Sequence, residues 1–404
     1  MPIRQYMAAP SIPTSVPVDA PAAAPAAPLR VPFQRPQPPT PAAIMEYYAL
    51  AEEARFYSNG GPCSRLLSQR LSEYLGGDTY TVPVANCTVG LMAAIRASFP
   101  APVDGRRVVL TPSYTFTATA CAIEWSGYEP VFVDIERKGW HLDPAALERA
   151  LQRYGSEVVG ILACATFGTA PDDAQRAAWR DLSAAYGVPL LLDSAPGFGS
   201  RDATGRPLGG LGDIEVFSFH ATKPFSAGEG GLVTTPDPEL AAHIGRLINF
   251  GLEPGTRISA EAGLNAKMSE LHAASALAML DRIDAVVARR QANAARLREA
   301  IGPDAGLLYQ HGSERSTWQI LQVLCPTPEM RDRAVALAPS HGVEVRTMHD
   351  PALHTHPAFA HYRREPLPVT EAAAERALAL PMANELDDDA IAAISGLVLA
   401  ALRK

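Results

Sequence analysis

The sequence is poor in cysteine, and the five it has, Cys63, Cys87, Cys121, Cys164 and Cys325, form no CxxC pair. That spacing offers neither a zinc site nor a disulfide framework, so free thiols in a reducing, cytoplasmic setting are expected. Basic charge is also short. Thirty-five Lys and Arg face 43 Asp and Glu, a formal net charge of −8, which argues against nonspecific binding to nucleic acid or to an anionic membrane. Apolar runs are strand-sized or interrupted by charge, and none approaches a membrane span. His349, His354 and His356 beside Asp350 match no common zinc spacing, and no metal is expected. There is no internal repeat.

What the chain does have is apolar material. It makes up 47% of 404 residues, with 19% charged, enough for a large core and, at this length, for two globular parts. Residues 1–41 stand apart: they hold 12 of the 36 prolines and only Arg4, Asp19, Arg30 and Arg35 as charges. Such a composition cannot build a core and is expected to be a disordered Pro/Ala-rich extension. It lacks the uninterrupted apolar region of a signal peptide, and its prolines would break an amphipathic transit helix.

From residue 42 helical and strand patterns alternate. Helices are expected at Ala42 to Tyr57, Ser64 to Leu75, Pro144 to Tyr154 and Ala174 to Tyr186, and strands around Val82, Val108, Val131, Val158 and Leu190. The alternation predicts an α/β large domain, residues 42–255, with a mostly parallel sheet between helices. A long alanine-rich helix, Ser269 to Ile301, then leads into a small α+β domain, 256–404. Its strands are expected near Gln319 to Leu324 and Val343 to Arg346, and its helices at Met330 to Ala338 and Asp387 to Leu402. The Ala and Leu spacing of the long helix suits a subunit interface and burial in its own domain equally well.

One lysine carries the chemistry. Lys223 lies in Ser218-Phe-His-Ala-Thr-Lys-Pro-Phe-Ser-Ala-Gly-Glu-Gly-Gly231, after the apolar run Ile214 to Phe219 and before three glycines. That pattern puts it at a strand end, on a turn where backbone can approach a ligand, and makes it a candidate Schiff-base former. Thirty residues upstream, Asp193 closes the strand Leu190-Leu-Leu-Asp193. A buried strand-end carboxylate needs a partner, either a protonated pyridine nitrogen or the amides of the following turn. Asn86 and Thr88, ahead of the helical stretch Leu91 to Ala97, read either as N-caps or as part of a phosphate cradle at a helix N-terminus. Phe116 or Tyr114, after the strand Val108-Val-Leu110, can stack on a flat ring or simply pack.

In order and spacing these segments resemble the DegT/DnrJ/EryC1/StrS family of pyridoxal-phosphate aminotransferases, the sugar aminotransferases, from about Gly60 to the C-terminus. The likeness is most specific from Ser218 to Gly231. It continues in Phe132 to Ile135, Phe167-Gly168 with Pro171-Asp172, and Gly263 to Leu271, and more weakly in His349 to His354 with Pro357 to Phe359. The resemblance implies a fold-type I transferase with active sites shared across a homodimer. Lys223 would hold pyridoxal 5'-phosphate and later move the substrate proton, Asp193 would pair with the ring nitrogen, and Phe116 would stack on the ring. Ser218, Thr88 and the amides around Cys87 would hold the phosphate, and Asn265 would reach the phosphate in the neighbouring subunit. His220 either faces the cofactor or packs in the lysine turn. Tyr114, His349 and His354 are expected substrate contacts, and Arg346 or Arg257 can bind a carboxylate or diphosphate.

Three positions depart from the family pattern. Cys87 stands where glycine is usual, Pro196 where a side chain near the ring hydroxyl is common, and Thr166 where many relatives have histidine. The expected activity is amino transfer from an amino acid, L-glutamate foremost, to a nucleotide-linked keto sugar by a ping-pong route. Pro196 and Thr166 keep open a cyclitol or a natural-product ketone or aldehyde as acceptor. A non-catalytic cofactor sensor or scaffold of the same fold is the rival of another class, against which the intact Lys223 and Asp193 stand. Because sugar dehydratases of this family replace the lysine with histidine, dehydration is set aside.

Overall fold

A computed structural model describes residues 30–403. Seven strands form the main sheet: β1 (Tyr80–Val84), β2 (Val108–Pro112), β3 (Glu129–Val133), β4 (Val158–Cys164), β5 (Leu190–Asp193), β6 (Ile214–Ser218) and β7 (Gly231–Thr235), in the order β1-β7-β6-β5-β4-β2-β3. Neighbours from β3 to β6 run parallel, and only β7 is reversed, antiparallel to both β6 and β1.

The apolar strands are buried on both faces, as parallel strands flanked by helices must be. Leu191 faces the helices Cys87–Ser98 and Pro238–Leu247, with Leu91, Ile95 and Ile244, whereas its neighbour Leu192 faces Pro144–Tyr154 and Asp173–Tyr186, with Leu147 and Trp179. Helices are where the pattern placed them, starting at Pro41, Pro62, Pro144 and Asp173. Three of these are entered through proline, whose fixed φ suits a first helical turn. A second sheet of three antiparallel strands, β8 (Leu308–Tyr309), β9 (Leu321–Leu324) and β10 (Ala377–Leu380), packs with the helices Ile283–Ile301, Pro328–Leu337 and Asp388–Leu402. No described helix is long and apolar enough to cross a membrane.

Three expectations need correction. The long helix is two, Glu270–Leu280 and Ile283–Ile301, broken at Asp281, whose carboxylate is held by Arg70 Nη2 at 2.8 Å and by the Tyr47 hydroxyl at 2.7 Å. The first of the two is buried along almost its whole length against the helices Pro41–Ala54 and Pro62–Tyr74, so its small residues serve packing within the chain. Val343 to Arg346 forms no regular strand, only single bridges from Val343 to Val31 and from Arg346 to Ala379.

The disordered extension does not reach residue 41. Val31 donates to Gly342 O, Phe33 N donates to Glu344 Oε2 at 2.9 Å, and the Phe33 ring packs on Ile320 and Ala379 beneath the Arg346 guanidinium, 4.6 Å away. Two apolar anchors among the prolines suffice to dock this stretch. The remainder of the expected extension, residues 1–29, lies outside the described residues.

Candidate active site

Lys223 is positioned by the sheet edge. β6 ends at Ser218, and the loop to β7 is tied by Phe219 N to Gly230 O (2.9 Å), Ala221 N to Gly228 O (2.8 Å) and Lys223 N to His220 O (2.9 Å). Gly228 and Gly230 have φ of 91° and 152°, which a side chain would resist. Lys223 Nζ donates to Gln319 Oε1 at 3.2 Å. Burial lowers its pKa, opposed by the nearby acidic groups Cys87 and Asp193, so its proton is held less tightly than in water.

Asp193, at the end of β5, is 7% exposed. Its Oδ2 accepts from Thr119 Oγ1 at 2.7 Å and its Oδ1 from Ala195 N at 3.1 Å. Burial raises its pKa despite those bonds and the Lys223 charge. It binds a turn amide, one of the two partners the sequence left open, and it lines the cavity.

The helix Cys87–Ser98 begins at the same place. Asn86 is its N-cap, accepting from Val89 N at 3.0 Å, and the first-turn residues Cys87 and Thr88 line the cavity. A Cβ at Gly231 would stand 2.8 Å from Cys87 N, so glycine is what allows β7 to meet this helix end. Burial pushes the Cys87 thiol well up, making it a small neutral wall rather than a nucleophile.

One cavity of about 810 Å³ gathers these groups. Cys87, Thr88, Phe116, Asp193, Ser218, His220, Lys223 and His349 all line it. Phe116, 62% exposed, leads the helix Thr117–Trp125 as its N-cap residue. His220 Nδ1 lies 2.9 Å from Thr222 Oγ1 and accepts from Thr222 N at 3.2 Å, leaving Nε2 toward Glu229 at 3.7 Å. The His349 ring stacks on Phe167, centroids 4.8 Å apart, and its pKa is pushed down to about 3 by burial and then by the Lys223 charge.

Other expected contacts do not reach the cavity. Tyr114 is fully buried behind it, edge-on to Phe167 and His349. His354, 3% exposed, bonds Ser113 Oγ through Nδ1 at 2.8 Å and faces Glu371 at 3.5 Å. Arg257 is exposed, and so is Asn265, which was expected at a neighbouring subunit's phosphate and not in this cavity; its Oδ1 accepts from Lys267 Nζ at 2.8 Å. Arg346 does line the cavity, 3.0 Å from Glu344 Oε1. Gln34, Gln319 and Met348 line it as well and were not anticipated. Gln34 comes from the stretch read as disordered, and nothing local marks Gln319 or Met348.

The residues fit a pyridoxal phosphate. Among the described residues, a lysine with no ion-paired carboxylate and a buried carboxylate with no ion-paired cation line one cavity, beside an amide-bearing helix end suited to a phosphate. No cluster of potential metal ligands occurs among the described residues.

Comparison with known proteins agrees. Residues 41–398 match the DegT/DnrJ/EryC1/StrS aminotransferase family, and the chain belongs to it. It is 34% identical over 369 residues to protein Rv3402c of Mycobacterium tuberculosis, covering 90% of this chain and 88% of that one. It is 31% identical to a dTDP-4-amino-4,6-dideoxy-D-glucose transaminase of Shigella dysenteriae, covering 88% and 94%. Among solved structures, DesI in the presence of its TDP-sugar product is 34% identical with a TM-score of 0.81, covering 92% and 93%. The chain is thus a pyridoxal-phosphate-dependent aminotransferase with the fold of that class.

Proposed function

We propose that this aminotransferase moves the amino group of L-glutamate to a keto group on a nucleotide-linked sugar in a ping-pong cycle. The observation that carries the reading is the meeting of Lys223 and Asp193 in one cavity, on a chain whose likeness to DesI and to the Shigella transaminase spans nine-tenths of its length or close to it. Both relatives are named with a dTDP- or TDP-linked sugar.

Pyridoxal phosphate, when bound, supplies the electron sink for the carbon that gains or loses nitrogen. Lys223 would hold the cofactor through its aldehyde and would carry the proton to and from the substrate carbon, a task eased by its lowered pKa. Asp193 places a negative charge where a ring nitrogen must stay protonated. Its bond from Thr119 holds the carboxylate in place. The amides of Cys87 and Thr88 and the Ser218 hydroxyl would hold the phosphate, and Phe116 would stack on the ring. His220 supports the lysine turn through Thr222. Arg346 receives the donor carboxylate or the acceptor diphosphate, and His349 forms part of the acceptor wall.

Residues 42–255 and 256–404 form the large and small domains in this reading, in a cytoplasmic homodimer. Asn265, outside the cavity of its own chain, then reaches the phosphate of a neighbouring subunit.

The test is turnover of the dTDP-linked 4-keto-6-deoxy sugar with L-glutamate, following 2-oxoglutarate and amino sugar together. Equal yields and parallel double-reciprocal lines support the reading. Conversion of glutamate without transfer to the sugar sinks the acceptor assignment and favours a cyclitol or natural-product carbonyl, to which the neutral Pro196 and Thr166 on the cavity wall are suited.

A further inference from the structure

Asp193 is the end of a longer line of buried hydrogen bonds. β4 and β5 run parallel with Cys164 opposite Asp193, so the last side chains of the two strands are neighbours. Thr115 and Thr119, four residues apart across the start of the helix Thr117–Trp125, meet them there. Cys164 Sγ donates to Thr115 Oγ1 at 3.3 Å, the hydroxyls of Thr115 and Thr119 are bonded at 2.9 Å, and Thr119 Oγ1 donates to Asp193 Oδ2 at 2.7 Å. None of the four residues is more than 8% exposed.

The protons of this line run in one sense. A carboxylate only accepts, so the single hydroxyl proton of Thr119 goes to Asp193, and the bond between the two threonines is donated by Thr115. Thr115 in turn accepts from the thiol. Burial, and then Asp193, push the Cys164 thiol up, so it keeps the proton it donates. A buried threonine in a helix ordinarily bonds the carbonyl four residues back. Thr119 gives its proton to Asp193 instead. Burial works against that carboxylate: it raises the Asp193 pKa, and the bond from Thr119 is the largest of the effects that lower it again, ahead of the Ala195 amide and the Lys223 charge. By donating to Thr119, Thr115 polarises its hydroxyl and makes it the better donor.

We propose that Thr115 and Thr119 are positioning residues that act through Asp193: aligned toward it, their hydroxyls keep the carboxylate ionised and so keep a proton on the ring nitrogen of the bound cofactor. The inference rests on the pairing of Asp193 with that nitrogen proposed above. It adds what the pairing requires in a buried site, where a carboxylate without donors takes up a proton itself. The bond from Thr119 is charge-assisted and therefore strong, and Thr115 supports it from the wall of the same cavity.

The experiment is nitrogen NMR of the enzyme loaded with pyridoxal phosphate isotopically labelled at the ring nitrogen, whose chemical shift separates the protonated from the unprotonated ring. Wild type is compared with T119V, T115V, T119S and D193N, each fully loaded with cofactor. The wild-type resonance is expected at the protonated position. It moves toward the unprotonated position in T119V, moves the same way by a smaller amount in T115V, and stays in place in T119S, which keeps the hydroxyl without the methyl. T115V leaves Thr119 and its bond in place, and it carries the test if T119V does not fold. A resonance that moves in D193N but in neither valine variant overturns the proposal and leaves the Asp193 pairing standing, and so does one that moves equally in T119S and T119V. A resonance unmoved in D193N overturns the Asp193 pairing, and the proposal with it.

Discussion

Lys223 Nζ donates to Gln319 Oε1 across 3.2 Å, joining the turn after β6 to the segment that leads into β9. The amine that must lose a proton therefore rests on a neutral acceptor. Gln319→Glu would place a negative charge there, favour the protonated amine and raise its pKa. The expected result is an alkaline shift of the pH optimum and a fall in kcat near neutrality of about tenfold, one pKa unit's worth. Gln319→Ala should leave the direction of the Lys223 shift unchanged, because burial is its main cause. pH–rate profiles of the two variants check both.

Asp193 owes its raised pKa to burial, and its carboxylate, with the Cys87 thiol, opposes the lowering of the Lys223 pKa. Asp193→Asn keeps the shape and removes the charge. We expect kcat to fall by at least about 10²-fold, the scale on which one preorganised electrostatic partner acts, while the cofactor stays bound. Steady-state rates together with cofactor stoichiometry measure this.

His349 is held neutral, with its pKa down at about 3 against a usual 6.5, by burial and then by Lys223. Between those values the unfolded chain binds a proton that the folded one refuses, so stability rises with pH across the window and is lost as pH falls below 6.5. Asn tolerates the φ of 62° at this position. His349→Asn in cofactor-free protein should flatten the fall in melting temperature between pH 7 and pH 5.

Glu215 has the opposite sign. Fully buried, it is raised from 4.5 to about 7, first by burial and then by Asp213. Its folded pKa lies above its unfolded one, so its contribution is complete below pH 4.5 and is lost as pH rises through 7. Glu215→Gln can keep its bonds to Ser194 Oγ at 2.7 Å and Gly209 N at 2.9 Å without the charge. Melting at pH 8 should rise relative to wild type, by about 2 kcal/mol of stability, with little change at pH 5.

The parts of this molecule that were legible in its sequence are those written in contiguous residues. Leu190 to Asp193 reads as a buried strand with a carboxylate at its end, and Ser218 to Gly231 as a strand and glycine turn around a lysine, because side-chain period and glycine placement are local properties. Gln319 and Met348 reach the cavity only after the three-stranded sheet has packed against the large one, and a glutamine before a strand carries no local mark of that. Val31 and Phe33 were hidden by the prolines around them, although two buried apolar side chains hold the segment and bring Gln34 to the cavity. The helix break at Asp281 has neither glycine nor proline. It coincides with bonds to Tyr47 and Arg70, more than two hundred residues away in sequence.

The most direct test of the account is the absorption spectrum of the purified, cofactor-loaded protein before and after L-glutamate, beside the Lys223→Ala variant. The account predicts a band from lysine-bound cofactor in the wild type, its loss on adding glutamate with release of 2-oxoglutarate, and no such band in the variant. A wild-type band that glutamate leaves unchanged would contradict glutamate as donor, and the same band in Lys223→Ala would contradict the role given to Lys223.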